Sequence, residues 1–176
     1  MNLAAIGTGE RAPTVVNAVI EIPKGGSNKV EYNAQADAFV LNRVLFSPLY
    51  YPYEYGWIIG SLSGDGDPTD ILVLSTFPTF PGCVLPARIV GALRTSDERG
   101  VDLKVLAVCD VDPRYEEMQE LEHVPDHIRQ EIVQFFKTYK QLENKAVEVE
   151  GWIDRQAALE EVRECLKRGA EVVPPS

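Results

Sequence analysis

The sequence predicts a mainly β fold of the α+β class, in which many short strands form a closed or nearly closed sheet. Three observations lead there. Seven short apolar or alternating runs fill the first two-thirds of the chain. Turn signals such as KGGSN, GDGDP and ERG separate them, and runs of that length with glycine and proline between them read as strands. Apolar residues at helical spacing are confined to the part after Pro125, so the helices are added late.

Taken in order, VVNAVIEI (15–22), KVEYN (29–33), AFVLNRVLF (38–46), YGWIIG (55–60), DILVL (70–74), VLPARIVGAL (84–93) and DLKVLAVC (102–109) are the expected strands. Pro125, suited to a first helical position, opens PDHIRQEIVQFFKTYKQLE. There Ile128, Ile132, Phe135, Phe136, Tyr139 and Leu142 fall on one side. A second helix is expected from an N-cap at Asp154, with Ala158, Val162 and Leu166 inward and a stop at Gly169. No repeat, low-complexity tract or linker divides the chain, so residues 1–176 read as one domain, with 1–14 and 170–176 expected to fray.

Composition narrows the function. A chain of 176 residues with 45% hydrophobic and 25% charged residues can bury a sizeable core. The formal net charge of −10 argues against nucleic-acid and anionic-membrane partners, which call for a basic stripe. No run approaches a membrane span, and the N-terminus lacks the basic start and apolar stretch of a signal peptide. Cys83, Cys109 and Cys165 are odd in number and far apart, as expected of reduced thiols in a cytoplasmic protein.

The stretch DGDPTD (65–70) carries the chemical question. Asp65, Asp67 and Asp70 repel one another, at ~1 kcal/mol per pair about 4 Å apart in water and ~4 kcal/mol at an effective dielectric of ~20. On these residues alone, a solvated turn and a metal site are equally good readings. A calcium loop of the helix–loop–helix type fits badly, because Pro68 interrupts it and Thr76 stands where a glutamate is needed. Alternate residues of a strand share a face, which pairs Lys29 with Glu31 and Asp102 with Lys104 and sets Glu21 opposite Ile20 and Ile22. With Asp97 across the DERG connection, the candidate cluster is Glu21, Glu31, Asp65, Asp67, Asp70, Asp97 and Asp102. Each acid singly is better read as a solvent-facing charge.

Other chemistries find little support. YYPYEYGW puts Tyr51, Tyr53, Tyr55 and Trp57 on one side if extended, an arrangement more typical of a core than of a binding surface. His123 and His127 are separated by Pro125, so they do not form a zinc pair on one helical face. No phosphate loop, dinucleotide fingerprint or nucleophile elbow is present.

The segments VIEIPKGGSNKVEY, LNRVLFSPLYYPYEYGWI, GDGDPTDILVL, SDERGVDLKV and FFKTYKQLENK, in that order and spacing, resemble the soluble family I inorganic pyrophosphatases of bacterial type. The resemblance runs from about Val15 to Trp152. It implies a highly twisted five-stranded barrel of the OB type with two or three helices packed outside. It implies Mg²⁺-dependent hydrolysis of pyrophosphate to two orthophosphates, with about three to four ions per site, Mn²⁺ or Zn²⁺ as substitutes and Ca²⁺ as an inhibitor. By position, Asp65, Asp70 and Asp102 resemble ligands of a first metal, with Asp70 shared by a second. Asp97 and Asp102 resemble ligands of a third, and Glu21 and Glu31 of a fourth. Asp67 resembles the general base. Lys29, Arg43, Tyr139 and Lys140 resemble phosphate ligands, Lys104 accompanies them, and Tyr51 and Tyr55 are expected to line the site. The resemblance also implies a homohexamer.

Three residues depart from the family pattern: Thr69 for an aliphatic residue, Asn42 for an aspartate and Trp57 for tyrosine or phenylalanine. They bear on packing and metal affinity. Two rival readings are weaker. A DxD-type nucleotide-sugar transferase would use similar aspartates, but the chain leaves no room for its nucleotide-binding domain. A non-enzymatic OB-type binding module would need a basic groove.

Overall fold

A computed structural model of the chain describes residues 2–98 and 100–172. The strands are β1 Val15–Ile22, β2 Asn28–Asn33, β3 Ala38–Val44, β4 Glu54–Ile58, β5 Asp70–Leu74, β6 Val84–Asp97, β7 Gly100–Cys109 and β8 Glu148–Ile153. The helices are α1 Leu3–Ile6, α2 Asp126–Thr138 and α3 Arg155–Val172. Of the segments expected to fray, 3–6 form α1, 170–172 continue α3, and 173–176 lie outside the described residues.

Five strands close into a ring in the order β1-β4-β5-β7-β6, and β6 pairs back with β1. The ring closes because β6 pairs with β7 on one edge and with β1 on the other, and its 14 residues leave room on that second edge for β8. Its first part, Val84–Arg88, pairs with β1, and Ala92–Ser96 pairs with β8. Closing the ring leaves these strands without an open edge. The β5–β7 pairing is parallel, with β6 as the crossover, and the other pairings are antiparallel. β2 and β3 form a separate two-stranded hairpin. The expected mainly β fold with a five-stranded barrel is the one observed.

Alternation along the ring strands supplies two apolar clusters. Val16, Ala18, Ile20, Ile58, Ile71, Val73, Val105 and Ala107 meet Ala158, Leu159 and Val162 of α3. Leu72, Leu74, Leu106 and Val108, which point the other way, meet Ile132, Phe135 and Phe136 of α2. β1 contributes to both clusters because of a bulge. Ile20 pairs with Gly56 and Ile22 with Tyr55, so Glu21 is an extra residue. The expectation that Ile20 and Ile22 share a face is therefore corrected: Ile20 lies in the first cluster and Ile22 in the second. Gly56 permits the strands to approach there, since a Cβ would stand 1.8 Å from the Val19 carbonyl oxygen.

Three other expectations need revision. β8 was not foreseen; its apolar positions are only half-buried, Gly151 interrupts them, and it adds to the ring from outside. The helix from Pro125 is shorter than its apolar pattern. It ends at Thr138, a 3₁₀ turn follows at Gln141–Glu143, and Leu142 is exposed. Gly169 does not stop the last helix, which runs on to Val172. A Cβ at Gly169 would lie 2.0 Å from the Gly60 carbonyl oxygen, so this glycine marks a close approach of helix to loop.

Gly169→Ala distinguishes helix propensity from close approach. Alanine is ~1 kcal/mol the better helix former, yet overpacking against Gly60 costs ~1–3 kcal/mol. The substitution is expected to lower stability in denaturant titration; a more stable variant would mean that the helix has room for a methyl group.

Candidate active site

One pocket of about 630 Å³ collects the acidic residues. Its floor comes from the mouth of the ring. Asp70 opens β5, Asp102 and Lys104 lie near the start of β7, and Tyr55 comes from β4. The Asp65–Asp67 turn forms one wall, Asp97 at the end of β6 another, and the β2–β3 hairpin brings Lys29, Glu31 and Arg43 from the side. Tyr139 and Lys140, just past α2, complete it. Glu21 reaches the pocket from its bulge, a backbone device that re-aims a side chain.

Lysines stand among the carboxylates. Lys104 is 4% exposed and holds two acids at once, Asp70 and Asp102, the latter at 2.6 Å. It also donates to the Tyr55 hydroxyl at 3.2 Å. Burial alone would lower the Lys104 pKa, but the two carboxylates outweigh it and raise it, so the ammonium stays charged. Lys29 pairs with Glu31, and Lys140 with Asp97 at 3.4 Å. Burial raises the Asp102 pKa, against the lowering effect of Lys104. Burial also raises Glu21, to about 7, although the Tyr32 amide donates to its Oε1 at 2.7 Å. Burial raises the Tyr55 and Tyr139 hydroxyls too, so both remain protonated donors at neutral pH.

The aspartate-rich turn is held from below. The Thr69 amide donates to Ser61 Oγ, and Ser63 Oγ donates to Thr69 Oγ1, both at 3.0 Å. The Ser63 amide donates to the Asp67 carbonyl, and the Asp67 amide to Asp65 Oδ1. Thr69 is fully buried, so its hydroxyl needs the partner that Ser63 provides. Asn42 is likewise engaged, donating to Glu31 and accepting from Arg43.

Of the residues expected at the site, Glu21, Lys29, Glu31, Arg43, Tyr55, Asp65, Asp67, Asp70, Asp97, Asp102, Lys104, Tyr139 and Lys140 all line this pocket. Tyr51 does not. It is 1% exposed and packs behind the wall against Tyr55, Phe135 and Tyr139. The aromatic run is thus mostly core, with Tyr55 and Trp57 as its pocket members. Sequence reasoning missed Tyr32, Glu98 and Lys145 as lining residues. Strand alternation could not find Tyr32, because it sets Tyr32 on the face of β2 opposite Lys29 and Glu31. His123 and His127 lie away from the pocket, and His127 is 83% exposed.

Among the described residues, no three acidic, histidine or cysteine side chains form a closed cage for one ion. The donor set is nonetheless all oxygen, and a hard cation such as Mg²⁺ is commonly held through one or two carboxylates together with water and phosphate.

The Glu21 environment yields a pH prediction for metal-free protein. A carboxyl whose folded pKa lies near 7, above its ordinary 4.5, contributes stability below about pH 4.5 that is lost as pH rises through 7. Glu21→Gln removes that loss and keeps an acceptor for the Tyr32 amide. In chelator, the variant is expected to melt higher than the parent at pH 8 and alike at pH 4. Equal melting at both would show that Glu21 is not ionised against a burial cost.

A protein-family model described as inorganic pyrophosphatase matches residues 18–170. The inorganic pyrophosphatase of Thermus thermophilus is 49% identical over 170 residues, covering 95% of this chain and 97% of that protein. That of Halalkalibacterium halodurans is 47% identical, over 89% of this chain and 96% of its own length. The crystal structure of a Thermus thermophilus inorganic pyrophosphatase matches at a TM-score of 0.93 and 48% identity, covering 96% of this chain and 99% of that one. With the family matched over most of its length and the same fold in a close relative, the chain belongs to the inorganic pyrophosphatase family.

Proposed function

We propose that the protein hydrolyses inorganic pyrophosphate to two orthophosphates with a divalent cation, Mg²⁺ first among them, and with no covalent intermediate. The observation that carries this reading is the meeting of seven carboxylates with Lys29, Arg43, Lys104 and Lys140 in one pocket of a chain of this family. A highly negative substrate cannot approach such a cluster of acids unaided. Asp65, Asp70 and Asp102 would hold one cation, Asp70 would share a second, Asp97 and Asp102 a third, and Glu21 and Glu31 a fourth. When bound, the cations offset negative charge and make a water easier to deprotonate.

The chain's own groups perform the rest. Asp67 accepts the proton of the attacking water as that oxygen bonds to phosphorus. The bond from this phosphorus to the bridging oxygen breaks, and its electron pair leaves with the second phosphate. Lys29, Arg43, Tyr139 and Lys140 bind phosphoryl oxygens and offset the charge that develops on the leaving group. Tyr55 lines the pocket and accepts from Lys104, so its own hydroxyl proton would be donated to a phosphoryl oxygen. Tyr51 supports Tyr55 and Tyr139 by packing. Mn²⁺ or Zn²⁺ should substitute, while Ca²⁺, with its longer ~2.3–2.6 Å bonds, should inhibit. A cytoplasmic homohexamer belongs to the same reading; no helix among the described residues is long and apolar enough to cross a membrane.

Phosphate release from pyrophosphate in millimolar Mg²⁺, abolished by EDTA, is the expected result; no release would overturn the assignment. Asp67→Asn and Asp70→Asn should differ although the residues are three apart. Loss of a general base costs ~10²–10⁴-fold in rate, so Asp67→Asn should lose turnover, keep metal affinity in calorimetry and recover partly at high pH. Asp70→Asn should lose metal affinity together with activity. Equal loss of metal by both variants would make Asp67 a ligand.

A further inference from the structure

We propose that Glu143 and Asn42 are positioning residues that fix the Arg43 guanidinium plane and leave its remaining edge for a phosphate group. The inference rests on the reading of Arg43 as an anion ligand. Arginine presents its donors in a rigid fork, so two fixed contacts determine where the others point. Arg43 Nε donates to Glu143 Oε1 at 3.0 Å, and Nη1 donates to Asn42 Oδ1 at 3.2 Å. Nη2 makes no hydrogen bond among the described residues, and Arg43 lines the pocket.

Arg43 needs such support because of where the fold places it. It lies on the β2–β3 hairpin, a separate two-stranded sheet whose β3 residues are largely exposed. Tyr139 and Lys140 come instead from the end of α2. Glu143, in the turn that follows them, has a side chain only 8% exposed and reaches across to the hairpin. The pair therefore sets the two halves of the cationic wall in register.

Asn42 extends the same chain of contacts to the acidic side. Its Nδ2 donates to Glu31 Oε2 at 2.8 Å while its Oδ1 accepts from Arg43. An amide can donate and accept at once; an ionised aspartate could not donate to Glu31 and would repel it. Lys29 occupies the other Glu31 oxygen. Asn42 thus couples the orientation of Glu31 to that of Arg43.

The test is a double-substitution cycle read in KM for pyrophosphate, kcat, and affinity for a non-hydrolysable diphosphonate at saturating Mg²⁺. The variants are Arg43→Ala, Glu143→Ala, Asn42→Ala, and the two doubles that contain Arg43→Ala. Glu143→Ala and Asn42→Ala are each expected to raise KM and weaken diphosphonate binding about tenfold, with a smaller change in kcat. Glu143→Gln, which keeps an acceptor oxygen, should restore part of the affinity. In the Arg43→Ala background, neither substitution should change affinity more than about twofold, because residues acting through one partner are not additive. Full additivity, or no effect of either single substitution, overturns the proposal. If Arg43→Ala leaves KM unchanged while hydrolysis proceeds, Arg43 is not an anion ligand. The proposal then falls with that assignment, and pyrophosphate hydrolysis stands. Melting temperatures check folding, and Asn42→Ala, at an exposed hairpin position, provides a readout even if Glu143→Ala misfolds.

Discussion

The ammonium of Lys104 sits between two carboxylates in a place almost closed to water, and much of the site depends on that contact. An isolated charge at such a position would be neutralised or expelled, whereas a buried charge with good partners is retained. The partners come from two strands. Asp70 opens β5, while Asp102 and Lys104 belong to β7, so the contact lies across the parallel pair of the ring. Tyr55 and Phe136 place their rings 5.7 and 5.8 Å from the ammonium, which draws β4 and α2 into the same contact. Removing either acid would leave part of a buried charge unanswered. The barrel can hold its acids near its mouth because one lysine stays ionised beneath them.

Two further acids follow the same logic. Lys29 faces Glu31 and Lys140 faces Asp97, so each of these lysines reduces the repulsion that crowding creates. Lys29 and Lys140, with side chains 21% and 19% exposed against 5% for Lys104, are the wetter cations, and water screens them more. That screening suits the proposed chemistry. In the proposed reaction, cations binding at Glu31 or Asp97 would compete with Lys29 or Lys140, whereas those binding at Asp70 or Asp102 would meet Lys104. Lys104, deeper and doubly held, is the one that stays where it is.

Much of this was legible in the sequence because it depends on local pattern. Turn residues between short β-branched runs marked the strands, and the period of two paired Lys29 with Glu31 and Asp102 with Lys104. What remained hidden depends on distant contacts. Ring closure turns on β6 pairing with both β7 and β1, and strand propensity does not reveal that. Gly169 reads as a helix stop unless the Gly60 carbonyl against it is known. Tyr51 and Tyr55 share a period along the chain, yet only packing places one in the pocket and the other behind it. The aspartate-rich turn was equally ambiguous. Six residues cannot distinguish a solvated turn from a site; the acids brought to it from β1, β2, β6 and β7 can.

The Glu21 bulge shows how one irregular residue joins the two levels. In a regular strand, Ile20 and Ile22 would share a face and Glu21 would take the other, so β1 could feed only one apolar cluster. The extra residue lets Ile20 enter the cluster under α3 and Ile22 the cluster under α2. It also turns the Glu21 carboxylate into the pocket, where the Tyr32 amide of the hairpin meets it. The close approach this requires is possible because Gly56 has no side chain to oppose the β1 backbone. The bulge that costs the ladder a regular pair thus divides the core between two helices and brings an acid from the barrel to face the hairpin.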